Sequence, residues 1–391
     1  MTNNTRGLRT WRRVQRLVLG LAVVTVLFCW GSYAQDELDR ARLHVGPVDL
    51  HPHLDFVASY DDNVLLKRDN RLGDFAFTTS PGLQLACGQS ERNFVTLDYT
   101  ASFERFLRLS SQDANNQFVK FNTQIELHQL TIGLSHIFQD IKGPNTQVGA
   151  RVSSLDNVTH LDLEYRISSK TSIGVGYGQY LHDYDLAWLY DSREYTPYAT
   201  LFYHMSPKSD LFCRFAYGWV SVDGGPSATY QEVDVGVRGK LTRKISGSVH
   251  VGYQHRSFSD SYGDMDGVVA SADLQILLTR RTTLALGVSR SFNPSPSVMN
   301  NSYESTRVDC KLTHRFPHQK VGVWIGGGYE RDDYERPVSG IDRVDDFFEV
   351  SAGVTWDTTK WMQLSAEYLF WDNDSRLTEL SFRRNLAACR T

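Results

Sequence analysis

From about residue 50 to residue 370, apolar and polar side chains alternate one by one in segments of roughly ten residues, the length a tilted strand needs to cross a bilayer. Val95, Leu97, Tyr99, Ala101 and Phe103 share one side of such a segment, and Thr96, Asp98, Thr100, Ser102 and Glu104 share the other, because successive strand side chains point to opposite faces. The next segment repeats the scheme, with Val119, Phe121, Ile125 and Leu127 against Lys120, Asn122, Gln124, Glu126 and His128. Leu161, Leu163 and Tyr165 oppose Asp162, Glu164 and Arg166, and Val233, Val235 and Val237 oppose Glu232, Asp234, Arg238 and Lys240. The pattern predicts eighteen strands, beginning at 51–61 and 74–87 and ending at 361–371 and 379–390. A soluble sandwich alternates too, but rarely sustains such regularity over this length.

Between alternate strands lie tight basic turns marked by Lys170, Lys208, Lys244, Arg281, Lys320 and Lys360, at intervals of 38, 36, 37, 39 and 40 residues. Each interval is one up-and-down hairpin. The opposite connections are longer and polar: Lys142–Asn157, Asp183–Ser192, Asp223–Thr229, Asn293–Asn301 and Arg331–Arg343. Short turns on one side and long loops on the other are the asymmetry of outer-membrane barrels, whose short side is periplasmic. Tyr180, Tyr184, Trp188, Tyr190, Trp219, Tyr253, Tyr262, Trp356, Trp361 and Trp371 fall near strand ends, where aromatic girdles sit.

The N-terminus has a different character. Arg6, Arg9, Arg12, Arg13 and Arg16 precede an apolar run from Leu17 to Trp30 and then Ser32-Tyr33-Ala34, the layout of a cleaved secretory signal. Residues 1–34 are therefore expected to be a signal peptide, 35–50 a short periplasmic segment and 51–391 the barrel. Removing residues 1–34 takes five arginines and no acids from totals of 41 and 45, leaving 36 bases against 45 acids, a formal charge of −9. That balance argues against nucleic acid as a partner. Cys87, Cys213, Cys310 and Cys389 lie far apart, without metal-ligand spacing, and no metal or cofactor is expected. Beyond the signal no apolar run approaches a membrane-spanning helix.

The fold expected is thus all-β: a transmembrane antiparallel up-and-down β-barrel of about 18 strands in the outer membrane of a Gram-negative bacterium. Eighteen strands are wide enough for an aqueous lumen. Its lining is expected to include Lys120, Gln124, Glu126, Asp162, Glu164, Arg166, Glu232, Asp234, Arg238, Lys240, Arg307, Asp309 and Lys311.

A resemblance rests on Gly46-Pro47-Val48, Pro52, Tyr60-Asp61-Asp62-Asn63-Val64, Asp74 and Ser80-Pro81-Gly82-Leu83. This stretch resembles the opening hairpin of an outer-membrane beta-barrel porin family found beside bacterial exopolysaccharide and capsule genes. The resemblance implies passage of solute or polymer, with no catalytic residues to carry over. The chain departs from the common pattern by ending in Cys389-Arg390-Thr391 rather than in an aromatic residue read by the barrel-assembly machinery.

Catalysis has little support. His182, His204, His250, His255 and His314 adjoin no serine in a hydrolase motif. The pairs Asp61-Asp62, Asp332-Asp333 and Asp345-Asp346 are read as solvated loop acids, with calcium or lipopolysaccharide-bridging cations as the lesser reading. Gly174, Gly176 and Gly178, and Gly326 to Gly328, lie inside strands and are read as relief of crowding in a bending wall. Two function classes remain: a channel for solute or exopolysaccharide, and a non-conducting scaffold or surface-binding barrel. The expected partners are outer-membrane lipid and lipopolysaccharide, the barrel-assembly machinery and polysaccharide export components.

Overall fold

The computed structural model describes residues 43–90, 92–259, 263–296, 300–316, 318–337 and 342–391. The expected signal peptide, most of the short segment after it, and Tyr262 lie outside these residues. The strands are β1 (Leu43–Val45), β2 (Val48–Asp61), β3 (Asp74–Ser90), β4 (Asn93–Phe106), β5 (Ala114–Leu127), β6 (Leu130–Asn145), β7 (Ala150–Arg166), β8 (Thr171–Tyr184), β9 (Ser192–Ser206) and β10 (Ser209–Val222). They continue as β11 (Ala228–Lys240), β12 (Ile245–Phe258), β13 (Met265–Thr279), β14 (Thr282–Pro294), β15 (Asn300–Phe316), β16 (Val321–Pro337), β17 (Arg343–Asp357), β18 (Gln363–Ser375) and β19 (Phe382–Arg390).

From β2 to β19 every strand pairs antiparallel with its sequence neighbour, and β19 pairs back onto β2. The result is a closed ring of eighteen strands, which leaves few backbone groups unpaired within hydrocarbon. The seam is its least paired junction. β19 meets β2 only from Val57 to Asp61, whereas β2 meets β3 from Val48 to Asp61. On the β2 edge that β19 leaves, β1 pairs with Val48–Leu50, so the first ordered strand begins earlier than the expected residue 51.

Alternation decides the two faces. Val233 and Val235 are half exposed on the outer wall, while Asp234 between them is fully buried. Leu201, Phe215, Val251 and Ile325 share that outer exposure, an apolar surface suited to lipid and unfavourable in water. Pro81 sits within β3 and pairs with Leu54 of β2. The ladder to β4 lapses between Thr79↔Phe103 and Gly82↔Thr100, so the missing proline N–H falls where no bond is made.

Two expected loops are mostly strand. Segment 142–157 is carried almost wholly by the ends of β6 and β7, leaving 146–149 as a turn, and β16 runs on to Pro337. Their polar composition reflects strands that project beyond the bilayer, where both faces meet water.

Candidate functional site: the lumen and its constriction

Pairing carries one face around the ring. Lys120 stands opposite Asp98, and Glu164 opposite Gly174, which pairs with Thr200, then Arg214, then Asp234. Gln124, Glu126, Asp162, Glu232 and Arg238 share this face by alternation, as do Arg307, Asp309 and Lys311 in β15. Arg166 and Lys240 are the last residues of β7 and β11, at the mouth that carries the short turns. The face is internal because its side chains bond across strands that are not neighbours. Arg238 on β11 donates to Glu164 on β7 at 2.7 Å and to Asp210 at 2.9 Å.

Most of these charges are paired. Arg214 donates to Asp234 at 2.8 Å and lies 3.3 Å from Glu232. Arg307 donates to Glu330 at 2.8 Å and also to Glu349, with Asp309 at 3.6 Å. Tyr198 donates to Asp162 at 2.6 Å, and the Lys311 ammonium lies 4.3 Å from the Trp324 ring centroid. Inner glycines seat these cross-strand rings: a Cβ on Gly176 would stand 2.2 Å from the Tyr198 ring, and one on Gly218 would stand 2.1 Å from that of Tyr230.

The turn between β6 and β7 reaches across the lumen. Gln147 donates to the Tyr303 hydroxyl on β15, and Arg343 on β17 donates to the Gln147 carbonyl at 2.7 Å. Gly149, at φ +63°, packs against Leu380, and a Cβ there would lie 3.1 Å from the leucine side chain. The far wall is prepared for the tip: Tyr303 stacks on Tyr334 at 4.9 Å, and Arg343 lies over Tyr334 at 4.0 Å.

On one side of this tip the lumen is filled. The β2–β3 connection turns inward, and Leu66 packs with Phe347 and Phe382, while Val64 packs with Ala76 and Phe106. On the other side a chamber of about 420 Å3 opens on β7 to β14. His160, Tyr180, Tyr198, Arg214, His250 and Arg256 are among its walls. The tip therefore crosses the lumen beside a polar chamber.

The family-like segment has a structural place that the sequence did not reveal. Asp61 is buried and accepts from Arg384 on β19 at 2.7 Å, and Asp62 accepts from the Asn385 amide N–H at 2.6 Å. Asn63 donates to the carbonyls of Lys67 and Arg383, both at 2.7 Å, and Tyr60 packs on Phe75. These residues pin both the inward connection and the seam. Ser80 donates to Ser102 at 2.9 Å, and Gly82 leaves room for the His53 ring, where a Cβ would stand 2.1 Å away.

Several expectations are corrected. Asp61, Asp332 and Asp345 are buried rather than solvated, because the first acid of each pair falls on the inner face. Tyr180, Tyr184 and Trp371 also point inward, by pairing with Val158, Ser154 and Glu349, so they are not lipid-facing girdle residues. Trp219, Tyr253 and Trp356 are exposed on the outer wall. Two histidines do meet a serine and an aspartate. His204 lies 2.7 Å from both Ser172 and Asp210, but Ser172 is fully buried, which bars substrate. His255 lies 3.2 Å from Ser257 and 2.6 Å from Asp266 on the outer face. Cross-strand register brings Ser172 to His204 and Asp266 to His255, which sequence adjacency does not display, whereas Ser257 lies two residues from His255 on the same strand.

The family described as putative beta-barrel porin 2 matches residues 152–389. No curated protein matches the chain. Among solved structures, OccK2 (OpdF) of Pseudomonas aeruginosa is similar at 11% identity and TM-score 0.49, covering 88% of this chain and 97% of that one. A BenF-like porin from Pseudomonas fluorescens Pf-5 is similar at 11% identity and TM-score 0.49, covering 88% and 98%. OpdK of Pseudomonas aeruginosa with vanillate is similar at 11% identity and TM-score 0.46, covering 87% and 97%.

Proposed function

This chain belongs to the putative beta-barrel porin 2 family and is an outer-membrane barrel, and we propose that it is a channel for small polar solutes, narrowed by the β6–β7 tip. One observation carries the reading: a polar chamber of about 420 Å3 stands beside that tip inside a closed wall. A scaffold has no need of such a space.

Solute passes the tip and enters the chamber, where fixed charges select it. Lys120, Gln124, Glu126, Arg166 and Lys240 line the route toward the periplasm, and Glu164, Arg238 and Asp210 narrow it. Passage of an exported polysaccharide is the finer proposal, resting on the resemblance at residues 60–63 and 80–82. A polymer requires the tip to leave Tyr303 and Arg343, which makes an export component a partner in opening. Lipopolysaccharide around the outer wall and the assembly machinery complete the expected partners.

Purified barrel in a planar bilayer should show stepwise conductance. A folded barrel that stays silent with or without the tip would support the scaffold reading instead.

A further inference from the structure

The chamber wall is broken between β13 and β14. Along β8 to β12 only every second residue lines the chamber, from Gly178 to Arg256, as a closed wall requires, whereas on β13 and β14 successive residues do, Val269 to Ser271 and Ser289 to Pro294. The ladder between these two strands stops at Ala270↔Arg290, although β13 begins at Met265 and β14 runs on to Pro294. Each strand stays paired on its other side, β13 with β12 up to Met265↔Arg256 and β14 with β15 up to Pro294↔Ser302. The far end of the β14–β15 hairpin is held from across the lumen instead, where the Pro296 carbonyl accepts from the Tyr190 N–H at 2.9 Å and the Tyr303 hydroxyl accepts from Gln147. A rift is left between β13 and β14.

Side chains close it. The Val268 and Phe292 carbonyls, on the edges where the ladder is missing, accept from arginine side chains: Arg290 Nε donates to the first at 3.1 Å and Arg256 Nη2 to the second at 3.1 Å. Glu304 holds Arg290 in place, 2.7 Å from its Nη2. Phe292 fills the gap, buried against Met265 and Val269, and Gly267 makes room for its ring, since a Cβ there would stand 2.4 Å away. Unlike a backbone ladder, these contacts are released by rotating side chains. Val268 pairs with Tyr253, and both are half exposed on the outer wall, so the rift begins at the level where aromatic residues meet the membrane interface.

We infer that the rift is a side entrance, through which a single-tailed amphiphile with an uncharged, hydroxyl-bearing head passes between the membrane interface and the chamber, with Phe292 blocking the way and Arg290 latching it. This deepens the channel reading and rests on it for the chamber being part of a route. The rift supplies an apolar passage for the tail, in Phe258, Met265, Val269 and Phe292. The chamber supplies hydrogen-bonding groups for the head without a net sign of charge, because Arg214 is paired with Glu232 and Asp234, Arg290 with Glu304, and Arg256 shares the cavity with Glu194 and Glu232. Its volume of about 420 Å3 limits the head to a small polar group.

The test is thiol labelling of the full-length barrel in lipid vesicles, with the native cysteines replaced by serine and Ser271→Cys placed in the chamber wall. Octylmaleimide, dissolved in the bilayer, reaches position 271 through the rift, and a glucosyl maleimide in water reaches it through the lumen. Arg290→Ala should speed labelling by the octyl reagent about tenfold, the effect of losing one charge-assisted hydrogen bond from the closed state, and should leave the glucosyl reagent unchanged. Phe292→Ala should act in the same direction. Should Arg290→Ala not fold, as judged by the gel mobility of unboiled protein, Arg290→Gln keeps a donor without the Glu304 pair and should give a smaller rise. Octyl glucoside below its micelle concentration should slow the octyl reagent, and glucose at the same concentration should not. Equal acceleration of both reagents, or no acceleration in any variant, would overturn the entrance; equal protection by glucose and octyl glucoside would overturn the tailed ligand. Selective acceleration without bilayer conductance would leave the entrance standing and sink the channel, and conductance without selective acceleration would do the reverse.

Discussion

Arg384 near the start of the last strand donates to Asp61 at the end of the first barrel strand at 2.7 Å, and both side chains are buried. This pair bridges the seam where β19 and β2 share the fewest partners. Removing one member leaves an uncompensated buried charge, so Arg384→Ala should cost about 3 to 5 kcal/mol. Denaturant unfolding in lipid should show it. A variant as stable as the parent would mean that backbone pairing alone closes the ring.

The faces give a sharper contrast. Val235→Arg places a charge on the outer wall at mid-strand and should cost roughly 2 to 4 kcal/mol, while Gln124→Arg on the inner face should be mild. The same unfolding assay compares them. Equal losses would contradict the register, since a shift of one residue exchanges the faces.

Arg343→Ala should loosen the constriction, because it removes the donor to the Gln147 carbonyl, and Tyr303→Phe should act in the same direction by removing the Gln147 acceptor. Single-channel conductance should rise, most in the double variant. Unchanged conductance would place the narrow point elsewhere.

Neutralising Arg166, Arg238 and Lys240 together should move ion selectivity toward cations. Arg238 matters most among them, because its loss releases both Glu164 and Asp210. Reversal potentials in a salt gradient measure the shift. No change would mean that these charges lie off the ion path.

Strand number, face assignment and the short-turn side were legible in the sequence because each depends on local periodicity. Two residues per repeat place Val235 outside and Asp234 inside whatever the neighbours do. The intervals between Lys170 and Lys360 count hairpins in the same way. Closure, the inward turn at Gln147 and the clasp of Asp61 on Arg384 were decided by tertiary structure alone. They join residues more than 150 positions apart, and no local pattern records which distant wall a loop tip will meet. The chamber belongs to the same class: Gln254 and Arg256 alternate like any strand pair, and only the closed ring brings them into one wall with His160, Tyr198 and Arg290.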